Sequence, residues 1–145
     1  NVEAWVRFAQ SLDTEEYFPI IIPDTAQALG VMPADYGNIT LFPEAALHLP
    51  LRMALYESAF LNLATTGGPP MLLTISERCP FLYFKHIVKG IRLCSPEHLT
   101  DVGFAVGKDL PHLKRNQHYV WADDELPIIR REFDAMVARL QSANG

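Results

Sequence analysis

The chain has 145 residues, 49% of them apolar, which suits one domain of ordinary size with a buried core and is too apolar for a disordered segment. A balance of 12 basic against 17 acidic residues leaves a net charge of −5 with no basic stripe, which argues against a nucleic-acid binder. The apolar runs are far short of a membrane span, and Cys79 and Cys94 form neither a close metal pair nor a disulfide framework, so a cytoplasmic, reducing setting without a bound metal is expected.

Asn1 suits an N-cap, and Val2, Trp5, Val6, Ala9 and Leu12 recur at helical spacing, predicting a helix over 2–12. A helix docked on a sheet usually has a strand feeding it. None precedes this one, so the chain is expected to be a fragment of a longer two-domain protein. Residues 17–22, Tyr-Phe-Pro-Ile-Ile-Ile, are apolar on both faces, as in a buried parallel strand. Pro23 ends that strand, and Asp24 or Thr25 can cap a short helix over 26–29. Residues 30–37 are loop, rich in Pro, Gly and Asp, and 39–41 form a short strand.

A helix follows over 50–58, expected to turn Leu51, Ala54, Leu55 and Ser58 inward and Arg52, Tyr56 and Glu57 to other faces. The next strand covers 60–64. It breaks at Thr65-Thr66-Gly67-Gly68-Pro69-Pro70, and a helix runs over 70–76. Proline in the first helical turn sacrifices no hydrogen bond, so Pro69 or Pro70 can open it. A strand over 81–84 is closed by Lys85 and His86. Residues 87–117 carry little pattern beyond a helical turn at 96–99. After a last strand over 118–121, Asp123 or Asp124 caps a closing helix over 125–141, with Leu126, Ile129, Phe133, Met136, Val137 and Leu140 inward. Trp5, Trp121 and Phe133 are expected in the core. Strands separated by helices imply parallel pairing, hence a single α/β domain over 1–145: an open, mostly parallel, Rossmann-like sheet with helices on both faces.

In such sheets ligands sit beyond the carboxyl ends of the strands. Thr65, Thr66, Gly67 and Gly68 occupy that edge. Glycines there permit positive φ and close approach, and the helix that follows offers backbone N–H groups and a dipole to a phosphate or sugar hydroxyl. The same turn also fits a plain strand-to-helix connection, its hydroxyls serving as caps. Asp24 and Thr25 end strand 17–22 on that edge, where the carboxylate can grip ribose hydroxyls or cap a helix. Lys85 either supplies a point charge for a phosphate or stands solvated, and His86 has no visible carboxylate partner. His112, Lys114, Arg115 and His118 make a small cationic loop cluster, read as solvated. His112 and His118 lack zinc-ligand spacing, and Ser58 and Ser76 lack a nucleophile-elbow context.

The run Leu-Arg-Met-Ala-Leu-Tyr-Glu-Ser-Ala-Phe-Leu-Asn-Leu-Ala-Thr-Thr-Gly-Gly-Pro over 51–69, followed by Phe-Leu-Tyr-Phe-Lys over 81–85, resembles the donor-binding, C-terminal half of GT-B fold glycosyltransferases, closest to the heptosyltransferase-like branch. The closing helix resembles the terminal helix of such domains. The resemblance implies a helix, strand, glycine-proline turn and second helix that cradle the diphosphate of a nucleotide-sugar, with the sugar nucleotide as substrate and no separate cofactor. It also implies a missing N-terminal acceptor domain and a role in polysaccharide or surface glycoconjugate synthesis. Two positions depart from the family pattern: Thr66 and Met71 stand where Asp and His are common, and Glu44 and Glu57 do not form the pair seven apart of retaining members. The resemblance supplies no catalytic residue, since the general base comes from the other half of the cleft, and the isolated chain is expected to turn over nothing. A second reading is a non-catalytic α/β module, for binding or partner interaction, that keeps the sheet and has lost the phosphate chemistry.

Overall fold

The computed structural model describes residues 1–30, 36 and 39–143; most of the loop expected over 30–37 lies outside the described residues. The elements run α1 (Val2–Gln10), β1 (Ile20–Ile21), α2 (Thr25–Ala28), β2 (Thr40–Leu41), α3 (Glu44–Leu47), α4 (Leu49–Ser58), β3 (Asn62–Thr65), α5 (Met71–Ile75), β4 (Phe81–Phe84), a 3-10 turn at Arg92–Cys94, α6 (Pro96–Asp101), β5 (Gln117–Val120) and α7 (Leu126–Ala143). The strands form two open parallel sheets, β1-β2 and β3-β4-β5. The fold is α/β and Rossmann-like, as the alternation of apolar strands and helices requires.

β4 organises the larger sheet. All four of its residues are buried, and their alternation divides them between two cores. Leu82 and Phe84 face α1 and α7, packing with Ala4, Phe8, Val120, Ile129, Phe133 and Met136. Phe81 and Tyr83 face the other way, toward Tyr56 of α4, Leu73 of α5, Cys79 and Tyr119. A strand apolar on both faces needs helices over both; α5, which crosses from β3 to β4, covers one together with α4, and α1 and α7, which lie before and after the strands in the chain, cover the other. The closing helix buries the stripe its spacing predicts, centred on Ile129, Phe133 and Met136.

Elsewhere the expected faces shift. In α1 the buried residues are Ala4, Phe8 and Ala9, whereas Val2 is exposed and Trp5 half-buried. Asn1 makes no side-chain cap; its Nδ2 instead donates to the backbone oxygen of Asp124 at 2.8 Å. In α4 the inward residues are Arg52 and Tyr56, one turn apart, while Ala54 and Ser58 are exposed. Apolar side chains surround this helix, so periodicity alone could not choose its buried face. The helix begins earlier than expected because His48 caps it, its Nδ1 accepting from the Leu51 amide.

The strand expected over 17–22 shrinks to Ile20–Ile21, and it is not buried on both faces: Phe18 is 74% and Ile20 41% exposed. Its sheet holds only β1 and β2 among the described residues, too little to cover an apolar run on both sides. Phe60 is likewise exposed, β3 starting only at Asn62, whose Nδ2 donates to the backbone oxygens of Tyr56 and Pro80. No helix among the described residues is long and apolar enough to cross a membrane.

Leu82→Ala should lower the unfolding free energy by about 2–5 kcal/mol, the usual result of opening a cavity in a packed core. Phe18→Ser should change it by no more than about 0.5 kcal/mol. Urea titration followed by tryptophan fluorescence reads both; comparable losses from the two would contradict the division into a buried β4 and an open β1.

Candidate functional site

The carboxyl edge of the three-stranded sheet brings together the residues after β3, β4 and β5: Thr65 to Gly68, Lys85 and His86, and Trp121 to Asp124. Asp24 and Thr25 are not joined to them by any hydrogen bond among the described residues. Asp24 follows β1 in the other sheet, where its Oδ1 accepts from the Thr25 amide at 2.6 Å and its backbone oxygen from Ala28. Both residues open α2, as a cap would.

The glycine turn is largely tied to its own protein. The Thr66 amide donates to the Phe84 carbonyl, and its hydroxyl to the Lys85 carbonyl. The Gly67 amide donates to the Tyr83 phenol at 3.3 Å, and that phenol donates back to the Gly67 carbonyl at 3.1 Å. The Gly68 amide has no acceptor among the described residues, and Pro69 and Pro70 have no N–H to offer. Neither glycine takes the positive φ expected of it. A Cβ built on Gly68 meets nothing within 4 Å, so open space lies beside the free amide. The half-buried Thr65 hydroxyl also makes no hydrogen bond among the described residues. The turn therefore leaves one amide and one hydroxyl without a hydrogen-bond partner among the described residues.

The residue with unusual backbone is Lys85, at φ 58°, a left-handed conformation that side chains other than glycine adopt at some cost. The turn directs its ammonium to Asp124 Oδ1 at 3.0 Å, so Lys85 is an ion-pair partner and not a solvated lysine. Asp124 is only 2% exposed, and its Oδ2 accepts from Trp5 Nε1 at 2.9 Å. One carboxylate thus joins α1, the end of β4 and the entry to α7. Burial pushes the Asp124 pKa up, but the hydrogen bonds from Lys85 and Trp5 and the adjacent positive charges outweigh it and hold the group below the ordinary carboxylate value.

His86 is 6% exposed and set among rings, its centroid 4.5 Å from Tyr83, 4.3 Å from Tyr119 and 5.1 Å from Trp121. Its Nε2 donates to the Tyr83 carbonyl at 2.9 Å. Burial drives its pKa below the ordinary imidazole value, against the opposing influence of that carbonyl and of the Asp109 charge. Behind it, Tyr119 Oη is buried without a hydrogen-bond partner among the described residues, and burial pushes the phenol up to about 12.

Two residues of this region were not legible as site candidates. Asp124 looked like a helix cap. Arg52, expected on another face of its helix, is only 5% exposed; its Nε donates to the Ala45 carbonyl at 2.8 Å and its Nη1 to the Tyr56 phenol at 3.4 Å, and no carboxylate among the described residues pairs with it. The cationic loop cluster is dispersed instead: Lys114 pairs with Glu77, His118 with Asp109, and His112 reaches the Thr74 carbonyl. No group of three or more potential metal ligands occurs among the described residues. An open groove of about 450 Å³ lies elsewhere, between the end of α1 and α7, and includes Leu12, Tyr17, Arg130 and Phe133. No protein family, curated protein or solved structure matches this chain.

Asp124→Asn should destabilise the fold by about 1–3 kcal/mol, since Lys85 loses its counter-charge and the hydrogen bonds lose their charge assistance. A carboxylate whose folded-state pKa is depressed stabilises above its unfolded value of about 4 and loses that contribution as pH falls through the folded pKa. Acid denaturation curves should therefore be shallower below about pH 4 in Asp124→Asn than in the parent. Parallel curves would mean that the carboxylate contributes no pH-dependent stability.

Proposed function

We propose that this chain is the nucleotide-sugar (donor) binding domain of a glycosyltransferase acting in polysaccharide or surface glycoconjugate synthesis, with the ligand seated at the carboxyl edge of β3-β4-β5. The observation that carries this reading is that, at the carboxyl end of a parallel strand, where α/β sheets receive ligands, the Gly68 amide and the Thr65 hydroxyl have no hydrogen-bond partner among the described residues and a Cβ on Gly68 would meet nothing within 4 Å. The resemblance over 51–69 and 81–85 supports it. In such a reaction the nucleoside diphosphate leaves with growing negative charge, and fixed donors at its phosphates stabilise that charge. Lys85 would add positive charge while sharing it with Asp124. The acceptor and the base that deprotonates it belong to the partner half implied by the resemblance.

The alternative is a non-catalytic α/β module, and one observation favours it: the Thr66 and Gly67 amides already hold internal bonds and the Lys85 charge is already matched, so little of a phosphate cradle remains.

UDP and GDP should each shift the Gly68 amide resonance most, with Thr66 and Gly67 following less because their N–H groups are engaged. Gly68→Ala keeps the amide but puts a methyl into the space a phosphate would occupy, and should weaken binding by about tenfold while leaving the unfolding midpoint nearly unchanged, because in the free protein that methyl meets nothing within 4 Å. Lys85→Ala is a poorer probe, since it also breaks the pair with Asp124. If neither nucleotide moves any amide at this edge, the donor-binding reading falls and the non-catalytic one stands.

A further inference from the structure

The groove between the end of α1 and α7 combines an apolar floor with an acidic rim, and it shares no residue with the sheet edge of the donor-binding reading. Leu12, Tyr17, Phe133 and Val137 supply the floor. The Tyr17 ring meets Phe133 edge-on, centroids 5.3 Å apart, and lies 6.2 Å from the ring of Phe60, which is 48% exposed. The apolar surface therefore continues past the groove onto an uncovered aromatic side chain. Backbone hydrogen bonds hold the wall in place, the amides of Glu16 and Tyr17 donating to the Asp13 carbonyl at 3.2 and 2.8 Å. Along α7 the groove runs from Arg130 to Gln141, about 16 Å at the rise of an α-helix, or about three turns.

Asp13, Glu16 and Asp134 stand on the rim, all of them exposed, and none forms an ion pair among the described residues. The one cation lining the groove among those residues is Arg130, whose guanidinium is already engaged. It donates to the Ser11 carbonyl and hydroxyl and stands 5.1 Å from the Phe8 ring centroid. We propose that this groove docks an amphipathic helix of a partner protein, its apolar face flanked by lysine or arginine. An apolar strip between two helices, with side chains one turn apart, receives the face of a third helix. Being open along its length, the groove cannot enclose a small molecule as ligand pockets do. Three carboxylates against one engaged guanidinium attract a cationic flank and repel nucleic acid or an anionic lipid surface. A second copy would bring the same net charge of −5 to the contact, which opposes self-association here.

The test is amide chemical-shift mapping of the whole chain with synthetic helical peptides of about fourteen residues, about four turns. One peptide carries Leu at i, i+3, i+4 and i+7 with Lys elsewhere. A second has Glu in place of Lys, and a third keeps the Leu–Lys composition with Leu spread around the helix. The first should move the amides of Tyr17, Asp134, Val137 and Ala138 most, and added salt should weaken its binding. The Glu peptide should move none of them, and the spread-Leu peptide should bind about tenfold more weakly. Glu16→Lys combined with Asp134→Lys should cost the Lys peptide about tenfold or more and admit the Glu peptide. Ala138→Trp, at an exposed position, should fill the groove and abolish docking while the unfolding midpoint stays nearly unchanged. Shifts centred outside the groove, equal binding of the Lys and Glu peptides, or docking that survives Ala138→Trp would overturn the proposal. So would the absence of any groove shift with the Lys peptide at about 1 mM. Groove amides that move with protein concentration alone would make a second copy the occupant, and the proposal would fall. The wild-type maps decide the matter even if a variant fails to fold.

Discussion

β4 must be covered on two sides, and much of the architecture follows from that demand. Its four residues are all buried and all aromatic or aliphatic, with Leu82 and Phe84 on one face and Phe81 and Tyr83 on the other. Parallel neighbours β3 and β5 satisfy its backbone, and the crossover from β3 to β4 lays α5 over one face, while the other is left to helices at the two ends of the element order. α4 and α5 supply side chains to one core, α1 and α7 to the other. The two-residue strands β1 and β2 carry no such demand, and their surroundings are correspondingly open, with Phe18 and Ile20 in solvent.

The second organising interaction is polar. Asp124 is buried where the chain leaves β5 for α7, and a lone carboxylate there would be costly. Trp5 and Lys85 relieve it, and in doing so they fix α1 against the sheet and hold Lys85 in a left-handed turn. Because Lys85 immediately precedes His86, the clamp also sets where that imidazole stands. The Tyr83 phenol completes the arrangement by bridging to Gly67. Stability and the shape of the candidate site therefore share residues: the lysine that could have faced a ligand is used to neutralise a buried charge, and a neutral histidine is left at the edge beside it.

Elements with one strong pattern were legible in the sequence. The strand over 81–84 was plain because four apolar residues lie between Pro80 and Lys85, and the stripe of α7 because its apolar residues fall on one face at helical spacing. α4 was misread for the opposite reason: with apolar side chains on all sides, either face could have been buried, and the contact of Tyr56 with the core made the choice. Arg52 then followed Tyr56 inward, its guanidinium satisfied by Ala45 and Tyr56 oxygens that no local pattern reveals.

The candidate site was half legible. That Thr65, Thr66, Gly67, Gly68 and Lys85 would meet at one sheet edge followed from strand order alone, since parallel strands place their carboxyl ends together. The class of fold, the crossover helices and the closing amphipathic helix were likewise determined by local composition and period, which depend on neighbours a few residues away. What each edge residue does was decided only by tertiary structure. Lys85 and Asp124 are 39 positions apart, and Trp5 and Asp124 are 119 apart. Whether an ammonium is free, an amide unpaired or an imidazole neutral depends on which distant groups folding brings within hydrogen-bond reach, and no sequence window contains both partners.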